Sequence, residues 1–309
     1  MWAYVFRRLI YNVPVYLAII LLVMAALRVN DPVPGFLGKN ASKEEYTNLR
    51  KQMGLDQPFL WQYGKFIINL VTLDQLVPEQ KGKEPPTLAP GVFSVESWDQ
   101  PGRSVGEKLR ESFVPSVAVT LPVLVLSSVI SICVGMISAY KRGRLADRSL
   151  VVAAVLGMSI SYLVYIILGQ YFGAFMLNQS LGFEVFAIEG YEGWGPLNLP
   201  ERWAHYCLLP VIISVIVSMG YDTRFYRAVM VEESARDYIT TARAKGASKS
   251  KIMFVHMLKN AMIPIITRVV ISLPFLIAGS ILVENYFGIP GMGRTLIQAV
   301  NSKDFPVIQ

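Results

Sequence analysis

Long apolar runs separated by polar or basic connections set the pattern of this chain. Five stand out, at about Leu9 to Leu27, Val117 to Tyr140, Leu150 to Met176, Tyr206 to Tyr221 and Val269 to Val283. A membrane-crossing helix needs roughly 20 mostly apolar residues, because it must satisfy its backbone hydrogen bonds internally. Each run therefore predicts one span, and the fourth and fifth draw on polar flanks to reach full length. The expected fold is all-α, a polytopic bundle of membrane helices.

The connection after the first run is long and carries its own elements. Asn30, Asp31, Pro32, Pro34 and Gly35 stop the first helix. The alternation in EEYTNLRKQMGL then predicts a short amphipathic helix ending at Gly54. Asp56, Gln57 and Pro58 open another turn, and FLWQYGKFIINLVTL places apolar and aromatic residues at helical spacing. Trp61, Tyr63 and Phe66 suit a bilayer interface, where amphipathic rings are favoured. From Pro78 to Gly102 the chain turns to Pro, Gly, Lys and Glu, which reads as an extended loop, either a solvated spacer or a docking element.

Composition agrees with a membrane protein: of 309 residues 53% are hydrophobic and 17% charged, with a mean hydropathy of +0.43. The net charge of +7 changes the picture only through its placement. Arg7 and Arg8 precede the first run, Lys141, Arg142, Arg144 and Arg148 fill the second connection, and Arg224 through Arg268 crowd the fourth. Alternate threading puts these sets on one side, so the positive-inside rule predicts a cytoplasmic N-terminus. Arg28 to Pro115 and Asn178 to His205 then lie outside, and a nucleic-acid partner is not expected. The first run is too long for a signal core, and Ala25-Ala26 is no A-x-A cleavage site, which favours an uncleaved helix.

No motif for covalent chemistry is present. The chain lacks a P-loop, a His-Glu-x-x-His pair and a G-x-S-x-G elbow, and His205 and His256 fall in separate connections on opposite faces. Cys133 and Cys207 sit in apolar runs, where a thiol packs as a small hydrophobe, and they give neither a disulfide framework nor metal spacing. Glu232 and Glu233 are adjacent and point apart on a helix. Asp222 and Glu284 are read as lying only at helix ends, so no buried proton relay is expected and the energy source lies outside the chain.

The basic fourth connection is the most informative stretch. Phe225 to Lys245 contains no Pro or Gly, and Tyr238, Thr241, Ala242 and Lys245 fall on one helical face with a shallow, dockable centre. Gly246 suits a left-handed C-cap and Ser248 the next N-cap. On the following helix Ile252, Val255, Leu258 and Met262 form an apolar stripe, and Pro264 is expected to break the chain before the fifth span. Such a hairpin at a membrane face suits either force transmission from a soluble partner or binding of anionic lipid.

The string Tyr238-x-x-Thr241-Ala242-Arg243-Ala244-Lys245-Gly246, with His256-x-Leu258-Lys259-Asn260-Ala261 and Ile263-Pro264, resembles the coupling loop of ATP-binding-cassette importer permeases of the dipeptide, oligopeptide and nickel group. The resemblance extends to Val283-Glu284-Asn285-Tyr286-Phe287-Gly288-Ile289-Pro290-Gly291-Met292-Gly293-Arg294, and to Arg7-Arg8-Leu9, Asp31-Pro32, Leu37-Gly38 and Gly54-Leu55-Asp56-Gln57-Pro58. It implies a type I importer bundle and the first of two permease subunits, in the plasma (inner) membrane of a bacterium or archaeon. Implied partners are a second homologous permease, two cytoplasmic ATPases, an extracytoplasmic solute-binding protein and the lipid bilayer. ATP and Mg would belong to the ATPases, with no cofactor or metal on this chain and no catalysis by it alone. Tyr238, Thr241, Ala242, Arg243, Ala244, Lys245 and Gly246 would form the helix docked on an ATPase. Pro122, Gly135, Pro274 and Gly279 would permit bending or close packing.

The implied organisation is an N-terminal end and first helix over 1–28, an external segment over 29–115, and a permease core over 116–309 with its coupling loop at 222–264. Family members continue past a motif like Asp304-Phe305-Pro306-Val307 into one more apolar helix, whereas this sequence stops at Gln309, through truncation or true absence. Peptides are the implied substrates, with nickel chelates, opines or glycans as alternatives. A membrane channel or a lipid-interacting structural protein is the alternative class.

Overall fold

The computed structural model describes residues 2–29, 31–37, 42–71, 95–192 and 200–309, and the statements below concern these. They are mostly helical, and the sole extended pairing among them is an isolated bridge between Glu96 and Ser104. The chain forms two compact units, one of Met1–Arg110 with Thr295–Gln309 and one of Glu111–Arg294.

In the first unit, α1 (Trp2–Leu27) is an apolar helix whose candidate span, Ile10–Leu27, is almost wholly exposed. A short turn, α2 (Val33–Phe36), follows, with Val33 N donating to Asp31 Oδ1 at 3.1 Å. The amphipathic helix expected before Gly54 is α3 (Lys43–Gln52). It starts in a full capping box, Ser42 with Glu45, and ends before Gly54 at φ +65°. Helix α4 (Phe59–Val71) lies on α1, where the Tyr63 hydroxyl donates to the Leu17 carbonyl at 3.0 Å. Of the extended stretch expected over 78–102, residues 78–94 lie outside the described residues, and the remainder forms bends and a turn.

The Asp304-Phe305-Pro306-Val307 string closes this unit. Asp304 is fully buried and accepts from the Ser97 hydroxyl, from Trp98 N at 3.0 Å and from Lys108 Nζ at 3.3 Å. Phe305 packs on Trp98, which meets Phe36 edge-on, while Val105, Ala299 and Val307 form a small apolar core. A buried carboxylate costs several kcal/mol unless paired and hydrogen-bonded, so this arrangement fixes the segment in one position.

The second unit is a helix bundle. Its long members are α5 (Val105–Tyr140), which enters it at Glu111, and α9 (Pro200–Ser234). The third apolar run is not one straight span: α6 (Leu145–Ser159) meets the helical stretch Tyr162–Leu181, which α7 (Tyr162–Leu168) opens, at 91°. No Pro or Gly marks the break. Ile160 is extended, and the Tyr165 hydroxyl donates to the freed Gly157 carbonyl at 3.0 Å, which supplies the partner that the bend removes. Helix α7 continues through a π-helical stretch, Gly169–Met176, into α8 (Leu177–Leu181). By length and composition the described chain has four membrane-crossing helices, or five with the bent pair as one span.

The last two runs are longer and differently bounded than expected. Helix α9 carries its span through Asp222, and the next span covers Lys249–Leu276 through Pro264 without a break. Its parts are α11 (Lys249–Lys251), a π-helical stretch over Ile252–Met257, α12 (Leu258–Ser272) and α13 (Pro274–Ala278). Gly279 at φ +73° ends α13 and leads into α14 (Ile281–Tyr286), and α15 (Met292–Ser302) and α16 (Phe305–Ile308) complete the chain. One apolar cluster packs Val119, Ile166 and Ala174 with Cys207 to Val215 of α9 and with Val283, Phe287 and Ile289. A second one is formed around the connection after α9.

Candidate functional site

Helix α9 does not run unbroken to Gly246. It ends at Ser234, the chain turns at Ala235 and Arg236, and α10 (Asp237–Ala244) begins. Side-chain bonds tie the residues at and after this turn to the end of α9. Arg236 Nη2 pairs with Glu232 Oε1 at 2.9 Å, and the Tyr238 hydroxyl donates to Glu233 Oε2. Burial, and then the hydrogen bond to that carboxylate, hold the Tyr238 phenol above its ordinary range. At the far end Lys245 N bonds back to Thr241 O at 3.0 Å, Gly246 takes φ +75°, and Ser248 Oγ caps α11 by accepting from Lys251 N. The hairpin chemistry read from Gly246 and Ser248 is present.

The face that α10 turns outward differs from the one its spacing suggested. Ala242 is only 7% exposed and Ile239 is buried, and half-buried Tyr238 packs beside them. Thr240, Thr241, Arg243, Ala244, Lys245 and Gly246 are exposed. Tyr238 and Ala242 are one turn apart and so share a face, but that face is taken up by the chain's own core. There Ile239 and Ala242 meet Met136 and Ala139 of α5, Tyr226 and Met230 of α9, and Ile252, Met257, Ala261 and Ile265.

The π-helical stretch explains a second difference. The stripe expected at Ile252, Val255, Leu258 and Met262 assumes α-helical period throughout. One wider turn shifts the register, so Ile252, Met257, Ala261 and Ile265 are buried while Val255 is 51% exposed. Gly135 belongs to the same neighbourhood as a close approach, since a Cβ there would stand 3.0 Å from Arg227 N.

Three polar clusters, none legible as such in the sequence, tie this bundle together. Asp147, 3% exposed, accepts Arg227 Nε at 2.7 Å and Nη2 at 2.8 Å, the Ser138 hydroxyl at 2.6 Å and Gly143 N at 2.9 Å. This bidentate pair joins α5, the turn after it, α6 and α9. The sequence marks Asp147 only as the lone acid in the basic connection Lys141 to Arg148, without naming its partners. Asp222 and Arg268 pair at 3.3 Å between α9 and α12, with the guanidinium 5.9 Å from the Phe225 ring centre.

Glu284, in the first turn of α14, is the third. It is fully buried and accepts from the Ser116 hydroxyl at 2.8 Å, Ser280 N at 3.0 Å, Gly293 N at 2.7 Å and Arg294 N at 3.2 Å. Three glycines make room for this carboxylate. A Cβ on Gly279 or Gly291 would come within 2.4 Å of it, and one on Gly293 within 3.0 Å. Among the described residues no group of His, Cys, Asp or Glu could hold a metal ion.

A bundle of spans carrying a short, outward-facing, small and basic helix embedded by its other side directs the comparison with known proteins. The family described as binding-protein-dependent transport system inner membrane component matches residues 131–309. The N-terminal component of such membrane proteins matches residues 1–90. The chain belongs to the binding-protein-dependent transport permeases. The glutathione transport system permease protein GsiC of Escherichia coli (strain K12) is 32% identical over 308 residues, covering 99% of this chain and 89% of the relative. The same protein from Shigella boydii serotype 4 (strain Sb227) is 32% identical over the same extent. The permease is thus a multi-pass inner-membrane subunit of an ABC importer and is not catalytic by itself. Its fold is the type I importer helix bundle.

Proposed function

We propose that this permease is the first of two homologous subunits that form the translocation pathway of an ATP-driven importer of di- and oligopeptides. Its N-terminus lies in the cytoplasm, an extracytoplasmic binding protein delivers the substrate, and two cytoplasmic ATPases supply the energy. One observation carries the reading: α10 exposes Thr241, Arg243, Ala244 and Lys245 while its opposite face, Ile239 and Ala242, is set in a core shared by α5, α9 and α12. A partner that moves α10 therefore moves three helices together, because a close-packed core transmits displacement rather than absorbing it.

The seven residues Tyr238, Thr241, Ala242, Arg243, Ala244, Lys245 and Gly246 divide into two roles on this reading. Thr241, Arg243, Ala244 and Lys245 meet the ATPase; Tyr238 and Ala242 anchor the helix to the bundle; Gly246 sets the turn. A peptide substrate is supported by similarity to a permease named for glutathione, itself a small peptide.

Ala244→Arg tests the coupling role, because the position is exposed and the larger side chain has room in the isolated permease. We expect at least a tenfold loss of labelled-peptide uptake in cells, with unchanged amounts of permease in the membrane. Undiminished uptake would contradict it. Competition of that uptake by glutathione, unrelated peptides, nickel chelates, opines and glycans identifies the substrate class.

A further inference from the structure

A cavity of about 260 Å³ lies in the first unit at the end of α1, lined by Arg28, Lys65, Gln52, Gln62, Trp61 and Trp98 among others. Among the described residues no acidic side chain lines it. Arg28 Nε is buried without a hydrogen-bond partner, and its guanidinium stands 5.3 Å from the Phe59 ring centre. Lys65 Nζ, the second cation, is 5.4 Å from the Trp61 ring centre. Asp31, the acid near this end of α1, is already engaged by Val33 N and the Tyr46 hydroxyl. Burial, and then the nearby Arg50 charge, push the Arg28 guanidinium below its ordinary value, and an anion in the cavity would offset both effects.

We propose that this cavity holds the phosphate of an anionic phospholipid headgroup. Two observations favour a lipid over a free anion. Arg28 directly follows the candidate span Ile10–Leu27, so the cavity sits where headgroups meet the bilayer. Helix α4 lies on α1, and Leu60, Trp61 and Ile68 of α4 and Leu22 of α1 are exposed, which offers apolar surface for acyl chains on the helix that Arg28 follows and the helix that carries Lys65. Guanidinium and ammonium groups at the end of a span, with aromatic rings beside them, suit a phosphodiester at the interface.

The test is native mass spectrometry of the full-length permease, purified in mild detergent and titrated with phosphatidylglycerol, with phosphatidylcholine of the same acyl chains, or with inorganic phosphate. We expect retention of one phosphatidylglycerol and at least tenfold weaker retention of phosphatidylcholine. The paired variant Arg28→Gln with Lys65→Gln should weaken phosphatidylglycerol retention at least tenfold. Equal retention of the two lipids by the unaltered permease overturns the proposal, even if the double variant fails to fold. Retention by a folded double variant equal to that of the unaltered chain overturns it as well. Binding of inorganic phosphate without retention of phosphatidylglycerol overturns the lipid source.

Discussion

At the residue scale the permease depends on buried carboxylates, Asp147, Glu284 and Asp304, that are each held by several donors. Removing one partner of such a pair leaves the other uncompensated, typically costing about 3–5 kcal/mol when both are deeply buried. Arg227 keeps 26% of its side chain exposed, so Asp147→Ala should fall near the low end of that range. A thermal-shift measurement in detergent checks it, and an unchanged melting temperature would show that the pair contributes nothing. Glu284→Gln is expected to be damaging although nearly isosteric. Four donors converge on this carboxylate, and an amide nitrogen facing backbone N–H groups leaves donors unpaired at about 1–3 kcal/mol each. Gly291→Ala should lower stability through the same site, because the added methyl would collide with the Glu284 carboxylate. These residues were present in the sequence as isolated Asp, Glu, Ser and Gly letters. Their meeting depends on contacts 168 positions apart for Ser116 and Glu284, which no local period reports.

At the element scale, what was legible depended on whether the cause was local. Gly246 and Ser248 act on their own backbone, so the turn between α10 and α11 followed from residue type, as did the end of α3 before Gly54. The face of α10 did not follow. Spacing groups Tyr238 with Ala242 but does not say whether that face meets a partner or the chain's own core. Of the stripe on the next helix, Ile252, Leu258 and Met262 pack on the core and only Val255 is turned out, because periodicity cannot register one π-helical turn, and the bend at Ile160 went unread because neither Pro nor Gly stands at the break. The element-scale prediction concerns the turn. Gly246→Ala forces a side chain into a left-handed conformation at a cost of about 1 kcal/mol. Gly246→Asn should be milder, because Asn tolerates that region. Uptake should fall in the order Gly, Asn, Ala, and equal uptake by all three would show that the turn's geometry is not limiting.

At the scale of the whole molecule, apolar runs announced the spans because the bilayer imposes their length whatever they pack against. The charge distribution across connections likewise bears on orientation, and a cysteine placed at Lys249 in the exposed basic hairpin should react with a membrane-impermeant thiol reagent only after the inner face is opened. The coupling of α10 to its bundle is a claim about the assembled transporter, and cross-linking in native membranes addresses it most directly. Thr241→Cys on the exposed face of α10 should form a cross-link to an ATP-hydrolysing subunit in the presence of a short bifunctional thiol reagent, while Glu44→Cys on α3 should not. A Thr241→Cys permease that supports full uptake yet never cross-links to an ATPase, whatever nucleotide is present, would contradict the coupling role of α10.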